Sequence, residues 1–387
     1  MKSQLEKVLE WCKEIGKFVA IFFGFTSHWY DYEKKIFKRN AFSRLAMIAV
    51  NIIGLALMFR GDSRFLSAFS RTDLNPAMKI VPCSRFLLIT LPPVCTFGQI
   101  IFCDRQLTNI KKRLQFLEME SLTKIRRCSE IEGTLRRLKF FKYFLIIFMY
   151  LMTTYGESES FKELSALAIF YVNIISLSNL WMLQYFLVIA RACRLFRYYD
   201  FQIRQMVKEF EKSLHDVNQN MEDHACAQLY WLRCQHSQLS GILKELQSFF
   251  GWQLLLKRVI SLINNGMLIY STIFETIQYE FMYVFTHDIP DYVSVILDFF
   301  VTDYVSELTK NTFNDLQLSL NELTEFSYSL KKLNRECEEF ALYLHCLKLN
   351  LQQSTHLNMD RQNWFAMMSA AVTITIVFTQ AHLGQSV

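Results

Sequence analysis

The chain has 387 residues, 52% of them hydrophobic, with 35 Phe and 17 Tyr, a formal net charge of +6, and only 11 Gly and 5 Pro. A mean hydropathy of +0.14 is high for a soluble domain of this size, and the scarcity of Gly and Pro excludes a β-rich or linker-rich protein. The positive balance does not imply a nucleic-acid partner, because the Lys and Arg residues stand between apolar segments and not on one polar domain.

Residues 1–17 alternate charged with apolar residues and show no signal-peptide pattern. The apolar run 18–25 is too short to span a bilayer and fits an amphipathic helix lying in the interface. The first spanning core is 45–59, after Lys34, Lys35, Lys38, Arg39 and Arg44. The second, 86–103, contains Pro92 and Pro93, a pair expected to kink the helix and free backbone carbonyls. The third is 143–155, directly after Lys142. The fourth is 164–189, followed at once by Arg191, Arg194 and Arg197. The fifth is 259–277, preceded by Lys257 and Arg258. The sixth, 292–305, is the weakest because Asp298 and Asp303 interrupt it, and 364–380 is the seventh.

The basic residues orient these segments. Nine Lys and Arg precede the first core, eleven lie in 104–142 and eight in 190–250. The alternate loops are poorer: the first holds Arg60, Arg64, Arg71, Lys79 and Arg85, the next holds Lys162, and the tail after Gln380 holds none. Basic loops stay in the cytosol, so the expected topology has the N terminus inside and the C terminus outside. Seven of the ten cysteines then fall on the reducing side, and outer disulfides are not expected.

The long inside loops carry apolar stripes. Ile203, Val207, Phe210, Leu214, Val217 and Met221 recur at gaps of four and three, as do Leu229, Leu232, His236, Leu239, Leu243, Leu246 and Phe250. A longer stripe runs through Leu316, Leu320, Leu323, Phe326, Leu330, Leu333, Cys337, Phe340, Leu344, Leu347 and Leu351. Such stripes must be buried on one another, within the chain or between copies of it. The expected fold is therefore all-α: seven transmembrane helices with long cytosolic helical extensions forming an anchor bundle and an oligomer interface. Its parts are a cytosolic N-terminal region with the interfacial helix (1–40), helices one to six with their extensions (41–310), a cytosolic anchor helix (311–363), a last transmembrane helix (364–380) and a short outer tail (381–387).

That last segment contains no charge, and its polar residues are not scattered. At 100° per residue, Ser369, Thr373 and Gln380 fall within about 40° of one another. A helix facing only lipid gains nothing from such a stripe. A helix lining water, or gripping a neighbour, does.

The topology, the long cytosolic helices and the carboxy end together resemble the insect gustatory receptor family, kin of the odorant receptors. That family ends in Thr-Tyr, five mostly apolar residues, then Gln-Phe. Here Thr373 and Gln380 keep that separation, while Ile374 replaces the Tyr and Ala381 the Phe. The upstream run with Asp360, Arg361, Trp364 and Phe365 also looks like the start of the family's last helix. The resemblance implies a tetrameric, ligand-gated, non-selective cation channel in the plasma membrane of a sensory neuron, opened by a small tastant, as a homomer or with other gustatory subunits. Bitter or aversive compounds are favoured over sugars. The last helix would line the pore, which with the polar stripe assigns Ser369, Thr373, Ile376, Val377 and Gln380 to the pore face. The alternatives are an odorant-receptor-type channel subunit and a metabotropic seven-helix receptor, the latter requiring the N terminus outside.

The resemblance also implies a ligand pocket open to the outside among the earlier helices. In the outer halves stand Tyr150 and Tyr155 on segment three, Tyr171 and Asn173 on four, Tyr270 and Glu275 on five, and Ser294 and Asp298 on six, with Arg85 at the start of two. Rings with a few amides, hydroxyls and carboxylates suit a small amphipathic ligand. A carboxylate at depth needs a partner: Arg85 could pair with Asp298 or Glu275, or either acid could meet a cationic ligand. No metal or other cofactor is expected, since the two members of His224-x-Cys226 and of Cys234-x-His236 point about 200° apart on a helix. No nucleotide loop, nucleophile elbow or paired catalytic acid occurs, so the chain is not expected to be an enzyme.

Overall fold

A computed structural model describes residues 28–31, 36–39, 41–70, 76–124, 129–160, 165–212, 219–278, 289–327, 330–347, 352–354, 357–358 and 361–383. Among them are eight helices: α1 (Ala41–Ser70), α2 (Pro76–Lys124), α3 (Ser129–Ser160), α4 (Ser165–Lys212), α5 (Gln219–Gln278), α6 (Ile289–Ser327), α7 (Lys331–Cys346) and α8 (Arg361–Leu383). Two small antiparallel strand pairs join them. β1 (His28–Asp31) pairs with β2 (Ile36–Arg39), and β3 (Gln352–Ser354) with β4 (Leu357–Asn358). The fold is all-helical apart from these, and the interfacial helix expected at 18–25 lies outside the described residues.

The seven apolar segments fall on α1 to α6 and α8, and α7 is additional. Gly133–Tyr155 in α3 and Ile169–Lys212 in α4 are by themselves long and apolar enough to cross a bilayer. α4 is the central helix, packed on α1, α2, α3, α5 and α6, and α8 packs on α5 and α6. Small residues let the helices approach closely, as in lipid, where apolar area alone gives no drive to associate. A Cβ on Gly54 of α1 would stand 2.8 Å from the Phe170 carbonyl oxygen of α4. One on Gly266 of α5 would stand 2.6 Å from Ile374 Cγ2 of α8.

The helices extend well beyond the apolar segments at one end, where α2, α4, α5, α6 and α7 build a second bundle. Here the hydrophobic effect does drive packing. Leu229, Leu232, His236, Leu239, Leu243, Leu246 and Phe250 are all buried, facing Ile203, Val207 and Phe210 of α4 and Leu316, Leu320 and Leu323 of α6. The described residues of the stripes thus pack within the chain, while the side chains of Leu214, Val217, Phe326 and Leu351 lie outside the described set.

The long stripe does not form one helix. α6 runs unbroken across the 310/311 boundary, and the chain turns back at Leu330, which has extended dihedrals (φ −107°, ψ 93°) and caps α7 through its backbone only. The anchor expected at 311–363 is therefore the end of α6, then α7, then the β3–β4 pair. Turning at Leu330 lets Leu333, Cys337, Phe340 and Leu344 reach the same core as the α6 half of the stripe. Periodicity registers the apolar face but is blind to a turn that keeps it in phase.

At the centre of this bundle the His236 ring is fully buried among Phe196, Phe313, Phe340 and Tyr343, with ring centroids 5.0, 4.8, 5.9 and 5.8 Å away. Neither ring nitrogen has a hydrogen-bond partner among the described residues. Burial without a compensating anion lowers its pKa to about 3, so the native ring is neutral. In the unfolded chain the ring binds a proton below pH ~6.5, which the native state refuses, so this group's contribution to stability falls as pH drops from about 6.5 towards 3. The loss amounts to about 2 kcal/mol between pH 6.5 and pH 5. Thermal unfolding of the purified protein at these two pH values should show it, and His236→Phe should flatten the dependence.

Candidate functional site

The polar stripe of α8 lies on its outward face. Ser369, Thr373, Ile376, Val377 and Gln380 are all exposed on the single chain, Ile376 at 50% and Val377 at 57%. On the opposite face Ala371 and Thr375 are buried at 1% and 5%, and the Thr375 hydroxyl lies 3.3 Å from the Gly266 carbonyl oxygen of α5. Ile374 packs onto Gly266. The residue that departs from the Thr-Tyr pattern therefore belongs to the packed side. Ala381 lies within α8, but its side chain is outside the described set. The first turn of α8 is clamped to α6. Arg361 makes a two-pronged bond to Glu307 (Nε–Oε2 and Nη2–Oε1, both 2.8 Å), and the Trp364 indole donates to the Ile296 carbonyl at 3.1 Å. The guanidinium holds the Glu307 carboxyl below its usual range.

Of the expected pocket residues, the structure brings Tyr150 and Asn173 together. The Tyr150 hydroxyl donates to Asn173 Oδ1 at 2.8 Å, joining α3 to α4. Asn173 is 2% exposed, and its Nδ2 has no hydrogen-bond partner among the described residues. Tyr171 and Ser294 are also buried, whereas Tyr155 is 64% exposed and faces out of the bundle. Arg85, Tyr270 and Glu275 lie on α2 and α5, with side chains outside the described set.

Asp298 serves elsewhere. Its Oδ1 lies 2.5 Å from Lys142 Nζ, and the ammonium directs hydrogen bonds to the Asp298 carbonyl (3.1 Å) and to Thr302 Oγ1 (2.8 Å). Lys142 is eight residues, about 12 Å, along α3 from Tyr150. The carboxylate read as a pocket acid is thus the neutralised half of a buried ion pair nearer the extensions, and holds no spare charge for a cationic ligand. One turn further along α6, Asp303 pairs with Arg258 of α5, both buried. Next to Arg258, the Lys257 ammonium bonds Asn179 Oδ1 of α4. Lys257 and Arg258 both lie against the Phe299 ring, at 5.7 and 5.9 Å.

The helices thus carry the apolar segments, an outward polar face on the last of them and buried charges among the others. The chain matches the 7tm Chemosensory receptor family over residues 18–385. It belongs to that family. No curated protein matches the receptor.

The charge cluster was not read from the receptor's sequence as a cluster. Lys142, Lys257 and Arg258 fit the pattern of basic residues flanking membrane segments, and the two acids simply weakened segment six. The available signal was their spacing: acids five residues apart on one helix, with cations at the near ends of segments three and five. Because Asp298 and Lys142 are buried, removing one partner strands the other in low dielectric, which costs about 3–5 kcal/mol. Lys142→Met should lower the unfolding temperature of the detergent-purified receptor accordingly. The double variant Lys142→Met with Asp298→Leu should recover most of that loss, a non-additivity that a double-mutant cycle measures directly.

Proposed function

We propose that this chemosensory receptor is a subunit of a ligand-gated, non-selective cation channel of the gustatory type, with its N terminus in the cytosol and α8 lining a pore shared by four subunits. The observation that carries the reading is the division of α8 into two faces. Ala371, Ile374 and Thr375 pack against the chain, while Ser369, Thr373 and Gln380 stand on the exposed face, the Thr373 hydroxyl donating back to the Ser369 carbonyl at 3.0 Å. Polar groups held towards hydrocarbon are costly, and the same groups facing water or a symmetry-related copy are not. In this reading Ile376 and Val377 narrow or dewet the pore, and Gln380 stands near its outer end.

The ligand is a small tastant, aversive in preference to sweet, received beside Tyr150, Asn173, Tyr171 and Ser294. The Asn173 amide donor, without a hydrogen-bond partner among the described residues, favours a ligand that offers a hydrogen-bond acceptor. A ligand-driven shift there reaches α8 through α6, which Arg361 and Trp364 grip. Four copies assemble through the helical extensions, where Leu318 and Leu342 remain exposed, and the protein resides in the plasma membrane of a sensory neuron.

Cysteine substitution along α8 tests the pore. A permeant, thiol-reactive cation should reduce current in Ser369→Cys, Thr373→Cys, Ile376→Cys and Gln380→Cys receptors under patch clamp, at rates at least tenfold above Ala371→Cys and Thr375→Cys. Equal rates on both faces would remove α8 from the pore wall. An N-terminal epitope reached by antibody on intact cells would instead favour a metabotropic receptor.

A further inference from the structure

α3 buries one side of itself. Leu135, Lys142, Leu145 and Met149 are buried, and the helix packs on α4 and α6. Of its apolar window 22% is buried, against 67% for that of α4. At 100° per residue, Arg136, Phe140, Phe144, Ile147, Leu151 and Tyr155 fall within about 100° of one another on the opposite side, and all six are exposed. Arg137 stands at the edge of the same face and is exposed as well.

The order along this face is the order met on crossing a bilayer: cations, then rings, then aliphatic side chains, with a tyrosine at the far end. The rise from Arg136 to Tyr155 is about 28 Å, close to the ~30 Å of a hydrocarbon core. A contact with a second copy of the chain requires neither this order nor this length. The basic end lies towards the extensions, since Lys142, next along α3, meets Asp298 at the junction. It continues onto α4: Lys139 of α3 and Arg197 of α4, both half-buried, stand within electrostatic reach of the same Cys193 side chain. Glu130 and Glu132 precede the arginines on α3, with side chains outside the described set. A guanidinium fork matches the oxygens of a phosphate, and the long arginine stem lies along apolar surface while its head reaches a headgroup.

We propose that this face of α3 meets lipid directly, and that Arg136 and Arg137, with Lys139 and Arg197 beside them, hold the phosphate of an anionic phospholipid in the leaflet next to the extensions. Under the topology proposed above that leaflet is the cytosolic one, which is rich in anionic lipid. α3 then stands at the perimeter of any assembly of copies. The charged contact fixes the depth of α3, which apolar contact with lipid does not. Lys142 is about 9 Å along the helix from Arg136, so a lipid that sets the height of α3 also bears on the Lys142–Asp298 pair that registers α3 against α6.

The test uses the full-length receptor in nanodiscs of phosphatidylcholine with a minority of phosphatidylserine. Native mass spectrometry counts the lipids that stay bound on release, and phosphatidylserine should be retained in preference. Each arginine at a leaflet surface contributes about fivefold, so Arg137→Gln should lower the preference about fivefold, and Arg136→Gln with Arg137→Gln about twenty-fivefold. Arg137→Gln alone serves if the double variant does not fold. Arg335→Gln, on the exposed surface of α7, should leave the preference unchanged. Nanodiscs offer the same lipids to both faces, so this result does not depend on the topology, which the N-terminal epitope decides separately. A photo-crosslinking phenylalanine analogue in place of Phe144 or Leu151 should attach to lipid and not to a second copy. Inorganic phosphate should not displace the retained lipid. The proposal is overturned by a preference that survives in the arginine variants, or by a crosslinked receptor dimer, which would make the face a contact between copies. Displacement by inorganic phosphate also overturns it, since the patch would then be a site for the free anion.

Discussion

Two carboxylates on α6 constrain much of this molecule. Asp298 and Asp303 are buried among helices that otherwise present apolar side chains, and an unpaired acid there would not stay ionised. Their partners come from different helices, Lys142 from α3 and Arg258 from α5, so the three helices are registered against one another at one level. α4 joins through Asn179, and α8 joins through α6 by way of Arg361 and Trp364. Satisfying the two acids therefore sets the relative heights of α3, α5 and α6, to which α4 and α8 are tied by separate contacts. Such pairs contribute little net stability over apolar replacements, but breaking one is costly, which is how they favour one register over its neighbours.

The level of this cluster is also where the packing changes character. On one side, helices meet through close approach at Gly54 and Gly266 and through polar contacts such as Thr375 to Gly266 and Tyr150 to Asn173. On the other, the extensions bury whole stripes of Leu and Phe, including the His236 cage, as a water-soluble bundle does. The two regimes follow from the two solvents: area burial is a driving force in water and nearly none in lipid. A receptor whose signal crosses this level has a loosely driven part joined to a strongly driven one.

The candidate site was legible in unequal measure. The face of α8 was readable because a helical period sorts Ser369, Thr373 and Gln380 from Ala371 and Thr375 without reference to anything else, and the structure keeps the two groups on opposite sides. The pairing of Tyr150 with Asn173 could be expected only as proximity between outer halves of neighbouring segments. Asp298 was placed with them because it is a carboxylate at depth. Its partner, 156 residues away in sequence, is a lysine that looked like an ordinary flanking residue. Tyr155 shows the reverse: an aromatic at the right height that turns out of the bundle, since height along a helix does not give direction around it.

What the sequence by itself determined was everything that depends on local period and composition: seven apolar segments, helical throughout, the stripes on the extensions and the polar line on the last helix. These follow from the 3.6-residue repeat and from the requirement that a chain in lipid satisfy its own backbone. The tertiary structure alone decided which stripe meets which, that the longest one folds back at Leu330, that the described stripe residues pack inside one chain, and that the two acids of α6 take their cations from α3 and α5. The reason is physical. Contacts between residues a hundred or more positions apart depend on the packing of whole helices, and a buried charge such as Asp298 acquires its energy only from the neighbours that packing supplies.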